Sequence, residues 1–282
     1  DGYIPSWGKT KTVSTIHDIN YEHDATFLGN SVYLKYYKYF FPRFAKKATR
    51  VATVSQFSKK DIADIYKIPQ EKIDVVYSAA NDYYKPRSEE ENIATKQKYS
   101  QGKEYFYFVG ALHKRKNLAN MFKAFDLFKA KTNSDVKLII IGNKKWWAGE
   151  IAETFERMKY KDEVIFTQRL PLEEVNRLAS ASIACLFVSF FEGFGVPPLE
   201  AFKSHTAAIV SNTTSLPEVG GDAAIYVSPQ DIEAIAQAMI DLYSKPELRQ
   251  ECIEKGILQA NKFSWDETAE LLWKTITKAL EQ

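Results

Sequence analysis

Two cysteines in 282 residues, Cys185 and Cys252, are too few for a disulfide framework or a cysteine zinc cluster. A reducing compartment is the simplest setting for such a chain. No apolar run reaches the roughly 18 residues needed to cross a bilayer. The opening DGYIPSWGKTKT also lacks the apolar centre of a signal sequence. A cytoplasmic location is therefore expected. An excess of one charge is missing too: 38 Lys and Arg against 36 Asp and Glu leave +2, so nothing global argues for nucleic acid. There is no internal repeat, no low-complexity tract and no Asp-x-Asp pair of the kind that holds a metal. With 45% hydrophobic and 26% charged residues the composition is that of an ordinary globular protein, which excludes the disordered and fibrous classes. The length allows one large domain or two modest ones.

What is present is an alternation of strand and helix signals. From Tyr105 onward six short apolar runs recur: Tyr105–Gly110, Val136–Gly142, Glu163–Thr167, Ser182–Ser189, Ala207–Ser211 and Ala223–Val227. Helical spacing separates them, as in Leu118, Met121, Phe122, Phe125 and Phe128, where Asn117 is the expected N-cap. Strands that are apolar throughout and separated by helices predict an α/β fold with a parallel sheet covered on both faces, here a doubly wound domain. Upstream, only Thr12–Ile16, Arg50–Val54 and Ile73–Tyr77 look like strands, which suggests a partial α/β lobe over residues 1–84. The polar stretch 85–103 reads as a linker and residues 104–265 as the complete domain. A final helix over 266–282 would return to the first lobe.

In open parallel sheets ligands bind beyond the carboxyl ends of the strands. The richest such turn is FFEGFGVPPLEAF (Phe190–Phe202). Gly193 and Gly195 permit close backbone approach. Pro198 suits a first helical turn, which would place Glu200 there as an ionised acceptor favoured by the helix dipole. A glycine-rich turn with a capping Glu explains the same residues. A second turn, GALHKRKN, sets Arg115 and Lys116 just before a helix, a place for phosphate oxygens or simply a solvated basic loop. His17, after the first strand, could donate a hydrogen bond into a cleft or be structural.

These segments, taken in order, resemble the retaining, nucleotide-sugar-dependent glycosyltransferases of family 4, which have the GT-B fold. The motif that carries the resemblance is Glu192-x7-Glu200 in FEGFGVPPLEA. TIHD (Thr15–Asp18), TVSQFSKKDI (Thr53–Ile62), VGALHKRKNL (Val109–Leu118), SNTTSLPEVGGDAAIYV (Ser211–Val227) and FSW (Phe263–Trp265) agree in order and spacing. The resemblance implies that Glu200 holds the ribose hydroxyls of the donor. It implies that Glu192 contacts the transferred sugar with backbone N–H groups of Gly193, Phe194 and Gly195. Arg115 and Lys116, on a loop begun by Gly110, would bind the diphosphate. His17 would face the sugar, and Arg169 and Leu170 would lie near the base. No metal and no cofactor is implied; the donor is a UDP- or GDP-linked sugar. The acceptor would be a glycan or a lipid-linked molecule.

Relatives begin well upstream of TIHD, so an absent segment or a partner chain supplying it is expected. A non-catalytic donor-binding lobe and a nucleotide-sugar hydrolase or epimerase remain as alternatives. The basic, aromatic stretch Tyr33–Arg50 could touch an anionic membrane at its inner face, or be a helix with its aromatics packed inward; Pro42, expected to interrupt a long helix, argues for the second. Lys144, Lys145, Trp146 and Trp147 either line the cleft or pack under a loop. Cys185 reads as a core residue, and His23 and His113 as surface residues.

Overall fold

The structure, a computed structural model, describes residues 2–5, 8, 10–28 and 31–282, with only the backbone of Ser31 and Trp146. The reading of Trp146 as a cleft or packing residue therefore lies outside the described residues. The chain forms two compact units. The first is Asp1–Ala79 with Phe191–Gly195 and Phe263–Gln282; the second is Ala80–Phe190 with Val196–Lys262. Compared with the expected division, residues 80–84 fall in the second unit, and the loop 191–195 falls in the first.

In the first unit β1 (Val13–Thr15), α1 (Asn20–His23), α2 (Ser31–Lys47), β2 (Arg50–Thr53), α3 (Gln56–Tyr66) and β3 (Ile73–Val75) follow in sequence. The strands pair in parallel in the order β1-β2-β3, with Val13 opposite Arg50 and Val51 opposite Ile73. The helix α2 runs unbroken through Pro42, contrary to expectation. Phe41, Phe44, Ala45 and Ala48 form a buried stripe at helical spacing on both sides of the proline. The carbonyl that Pro42 leaves unserved belongs to Lys38, an exposed residue. The aromatics do not all pack inward: Tyr33 and Tyr39 are 61% and 53% exposed, beside the partly exposed Tyr36 and Phe40. The same helix carries Lys35, Lys38, Arg43, Lys46 and Lys47 and no acidic residue.

In the second unit the segment expected as a linker is instead largely a helix, α4 (Glu89–Ser100). Ser88 caps it, with Glu91 returning the bond to the Ser88 backbone. The polar residues that suggest a loop are the helix's ion-pairing surface. Lys98 meets Glu174 at 2.6 Å, and Glu91 meets Arg177 at 3.1 Å. Both partners lie on a helix that comes later in the chain.

Then follow β4 (Tyr105–Val109), α5 (Leu118–Thr132), β5 (Lys137–Ile141), α6 (Glu150–Glu156), β6 (Val164–Thr167), α7 (Leu172–Ser180), β7 (Ala184–Phe187) and α8 (Val196–Lys203). The unit continues with β8 (Ala207–Ser211), α9 (Leu216–Gly220), β9 (Ile225–Val227), α10 (Ile232–Ser244) and α11 (Pro246–Ala260). The six strands are all parallel in the order β6-β5-β4-β7-β8-β9. This is the doubly wound arrangement, with its switch of direction between β4 and β7. Every residue of β7 and β8 is buried, as expected for strands covered on both faces. The last helix, α12 (Trp265–Glu281), belongs to the first unit. There the Thr268 hydroxyl donates to the Tyr77 carbonyl at 2.6 Å, and Lys278 pairs with Asp74 at 2.7 Å. Among the described residues no helix is long and apolar enough to cross a membrane.

Candidate active site

In the second unit a cavity of about 520 Å³ opens beyond the carboxyl ends of β4 and β5. Gly110 and Gly142, which close those two strands, lie side by side in its wall. A Cβ on Gly142 would stand 2.1 Å from the Gly110 carbonyl oxygen, so no side chain fits there. Of the residues singled out from sequence, Gly110, Arg169, Leu170 and Glu200 line this cavity together. Tyr84, Asn143 and Lys145 complete its polar lining. Of the turn over residues 144–147, Lys145 lines the cleft. Tyr84 and Gly142 were missed. Gly142 had a visible signal, a glycine ending a buried strand exactly as Gly110 does.

Glu200 corrects one expectation. It lies in the second turn of α8, whose first turn holds no acidic residue. The helix dipole therefore does not govern its charge. Burial does, and pushes its pKa up to about 7, while a hydrogen bond from the Tyr84 hydroxyl pulls the other way. Behind it, Tyr107 on β4 and Cys185 on β7 face each other across paired strands. Burial raises both, the thiol to about 12. Cys185 is thus an inert core residue.

The turn after β4 is built by a residue first read as plain surface. The His113 ring accepts from the Arg115 backbone N–H at 3.1 Å, and the Arg115 carbonyl accepts from Phe190 N–H at 2.9 Å. Burial and the flanking Arg115, Lys116 and Lys114 lower the pKa of His113, which favours the neutral, accepting ring. Asn117 stands at the start of α5 without capping it. Its backbone is left-handed, and its amide donates to the carbonyls of Val188 and Pro229 at 2.9 and 2.6 Å. Lys116 reaches over the Phe187 ring, 4.6 Å from its centroid, and its stem lies 3.9 Å from where a Gly110 Cβ would be. Lys116 therefore sits beside the cavity wall, while Arg115 holds the turn through its backbone.

His17, Glu192, Gly193, Phe194 and Gly195 gather in the first unit. The Gly193 carbonyl accepts from the hydroxyls of Ser55 and Ser58 at 2.7 and 3.1 Å. Ser55 also caps α3. A Cβ on Gly193 would meet the His17 carbonyl at 2.6 Å, so the loop lies directly against the turn after β1. Phe191 packs edge-on to Phe57, and Phe194 to Phe263, with centroids 5.6 Å apart in each case. Glu192 is 6% exposed. His17 lines a second cavity of about 410 Å³ with Asp18, Asn20, Tyr21 and Tyr37. Surrounding protein lowers its pKa, so the neutral imidazole prevails near pH 7. Among the described residues no three His, Cys, Asp or Glu side chains converge as a metal site.

Residues 89–259 match the family described as glycosyl transferases group 1. The chain belongs to that family. Residues 2–82 match Glycosyltransferase Family 4. O-antigen chain mannosyltransferase B of Escherichia coli is 32% identical over 222 residues, covering 78% of this chain and 58% of that protein. O-antigen chain mannosyltransferase RfbU of Salmonella typhimurium is 29% identical over 236 residues, covering 83% and 61%. This group 1 chain thus spans about three-fifths of both relatives. A crystal structure of Anabaena Alr3699/HepE in complex with UDP and glucose aligns with a TM-score of 0.80 at 15% identity, over 95% of this chain and 71% of that one. The shared fold is GT-B.

The position of Glu200 fixes a pH dependence. Its folded pKa lies above its ordinary value, so the folded chain holds the proton more tightly than the unfolded one. Stability should fall as pH rises from about 4.5 to about 7 and stay lower above that. Glu200→Gln removes this contribution. It should be more stable than wild type at pH 8, by up to roughly 3 kcal/mol, and match it near pH 4.5. Urea denaturation at the two pH values measures this. A difference that does not change with pH would remove the buried-carboxyl account.

Proposed function

We propose that this chain carries the donor-binding and transfer machinery of a retaining glycosyltransferase, moving a hexose from a nucleoside diphosphate sugar to a glycan or lipid-linked acceptor. The observation that carries the reading is the cavity beyond β4 and β5. Its lining combines a carboxyl group, two strand-end glycines and the cationic Lys145 and Arg169. In this reading Glu200 accepts hydrogen bonds from the ribose diol, the role an acid plays in other nucleotide folds. Arg169 and Leu170 border the base. Gly110 gives the diphosphate close backbone approach, and Lys116 with Arg115 supplies positive charge. Glu192, with the backbone of Gly193, Phe194 and Gly195, holds the hexose, and His17 donates to it. The names of the two O-antigen relatives make mannose the first sugar to test.

In the transfer step the bond between the sugar anomeric carbon and the diphosphate oxygen breaks, and a bond from the acceptor hydroxyl oxygen forms on the same face. The acceptor proton passes to the departing phosphate oxygen. Negative charge grows on that phosphate, and fixed cations and N–H dipoles stabilise it without a metal. Membrane contact at an inner leaflet is part of the same reading. Its support is the outward face of α2, where exposed Tyr33 and Tyr39 alternate with lysines and Arg43 lies 3.5 Å over the Tyr39 ring.

A thermal-shift series with UDP-, GDP- and ADP-linked hexoses tests the donor. At 100 times its dissociation constant a bound donor adds about 2.7 kcal/mol. One of them should stabilise the wild type clearly and Glu200→Gln weakly; equal shifts in both proteins would take Glu200 out of the site. Product analysis tests the reaction. Nucleoside diphosphate released only with acceptor supports transfer, release by water alone indicates a hydrolase, and binding without turnover indicates a donor-binding lobe. For α2, Lys35→Glu with Lys38→Glu should cut co-sedimentation with phosphatidylglycerol vesicles, and salt should do the same to the wild type. Equal binding to neutral phosphatidylcholine vesicles would contradict the charge-based contact.

A further inference from the structure

We propose that Tyr84 is a positioning residue for the donor carboxylate: its phenol, fixed in the cavity wall by the segment that enters the second unit, holds Glu200 oriented and charged for the ribose diol. The proposal rests on the donor reading above and deepens it. Tyr84 is 5% exposed, yet it lines the same cavity as Glu200, where its phenol favours the ionised carboxylate against the effect of burial. Its placement is built from several sides. Lys203, at the end of α8, reaches the Asp82 carboxylate at 2.5 Å. The Arg87 N–H donates to the Ser180 hydroxyl, and its Nε to the Asn176 side-chain oxygen, both at 2.9 Å. Asn176 is fully buried and donates to the Lys85 carbonyl at 2.9 Å and the Ser204 hydroxyl at 3.0 Å. The Ser204 hydroxyl in turn donates to the Glu200 carbonyl at 2.8 Å. One buried amide thus ties the strap carrying Tyr84 to the helix carrying Glu200.

The chemistry follows from this geometry. A carboxylate facing a diol needs its charge and one free oxygen. Burial works against the charge, and a hydrogen bond donated to the ionised form favours it. The other titratable groups around Glu200 are the Tyr84 and Tyr107 phenols, the Cys185 thiol, and the cavity-lining Lys145 and Arg169. Both phenols and the thiol are raised far from neutrality and stay protonated, so proton exchange near pH 7 in this cluster belongs to Glu200.

The test titrates Glu200 by carboxyl carbon NMR in the ligand-free chain, with Glu200→Gln identifying its signal. Calorimetry with UDP-glucose and GDP-mannose runs alongside across pH. In Tyr84→Phe the Glu200 midpoint should rise by about one pH unit. Affinity for whichever donor binds should fall several-fold at pH 7 and recover above the new midpoint. Tyr107→Phe, which alters the neighbour that bonds Cys185, should leave the midpoint in place. If Tyr84→Phe does not fold, 3-fluorotyrosine at position 84 keeps the shape and strengthens the donor, and should lower the midpoint. An unchanged midpoint in the folded variant, or with the fluorinated residue, overturns the proposal. A shifted midpoint in a chain that binds neither donor would instead overturn the donor reading and leave the Tyr84–Glu200 coupling standing.

Discussion

A carboxyl group stripped of most of its water, in the wall of a cavity, is the constraint on which the second unit turns. Glu200 is there because β7 ends in a loop that leads into α8, a helix whose Leu199, Ala201 and Phe202 are fully buried on either side of it. Natural chains rarely leave an acid in such a place without a partner. Around it the same cavity is lined by the Tyr84 phenol, the strand-end Gly110 and Gly142, and the cationic Lys145 and Arg169. The arrangement is costly for folding and suited to a ligand that brings hydroxyl donors and phosphate oxygens to one place.

The pair of glutamates eight residues apart is better understood as two anchors of one excursion. Glu192 travels with a loop held inside the first unit by Ser55, Ser58 and the turn after β1. Glu200 stays on a helix of the second. Segments that look unrelated in sequence, TVSQFS, FEGFG and FSW, are in contact there, through serine hydroxyls on one carbonyl and through Phe263 on Phe194. Their order and spacing along the chain are therefore consequences of packing as much as of chemistry.

All nine expected runs hold a strand; the central β7 and β8 are written in almost unbroken apolar residues because both of their faces are buried, while β1 and β3 are short and only partly buried. Gly110 and Glu200, which line one cavity, stand out in the sequence beside a strand end and a Pro-Pro helix start, although the prolines put Glu200 one turn too early. What was misread was decided by geometry that composition does not carry. The polarity of 85–103 suggested a loop, although Ser88-x-x-Glu91 is a capping box in plain view. Pro42 reads as a break in sequence, but a buried stripe on both sides holds the helix together. Asn117 spends its amide on two distant carbonyls instead of a cap. Tyr84 had no local signature, since its meaning depends on a residue far away along the chain.

The most direct measurement is a crystal structure of the chain with UDP-glucose or GDP-mannose bound. The account predicts the ribose hydroxyls within hydrogen-bond distance of Glu200, the diphosphate against Gly110 and Lys116, and the base beside Arg169 and Leu170. A nucleotide bound anywhere else, with the cavity beyond β4 and β5 left vacant, would contradict it.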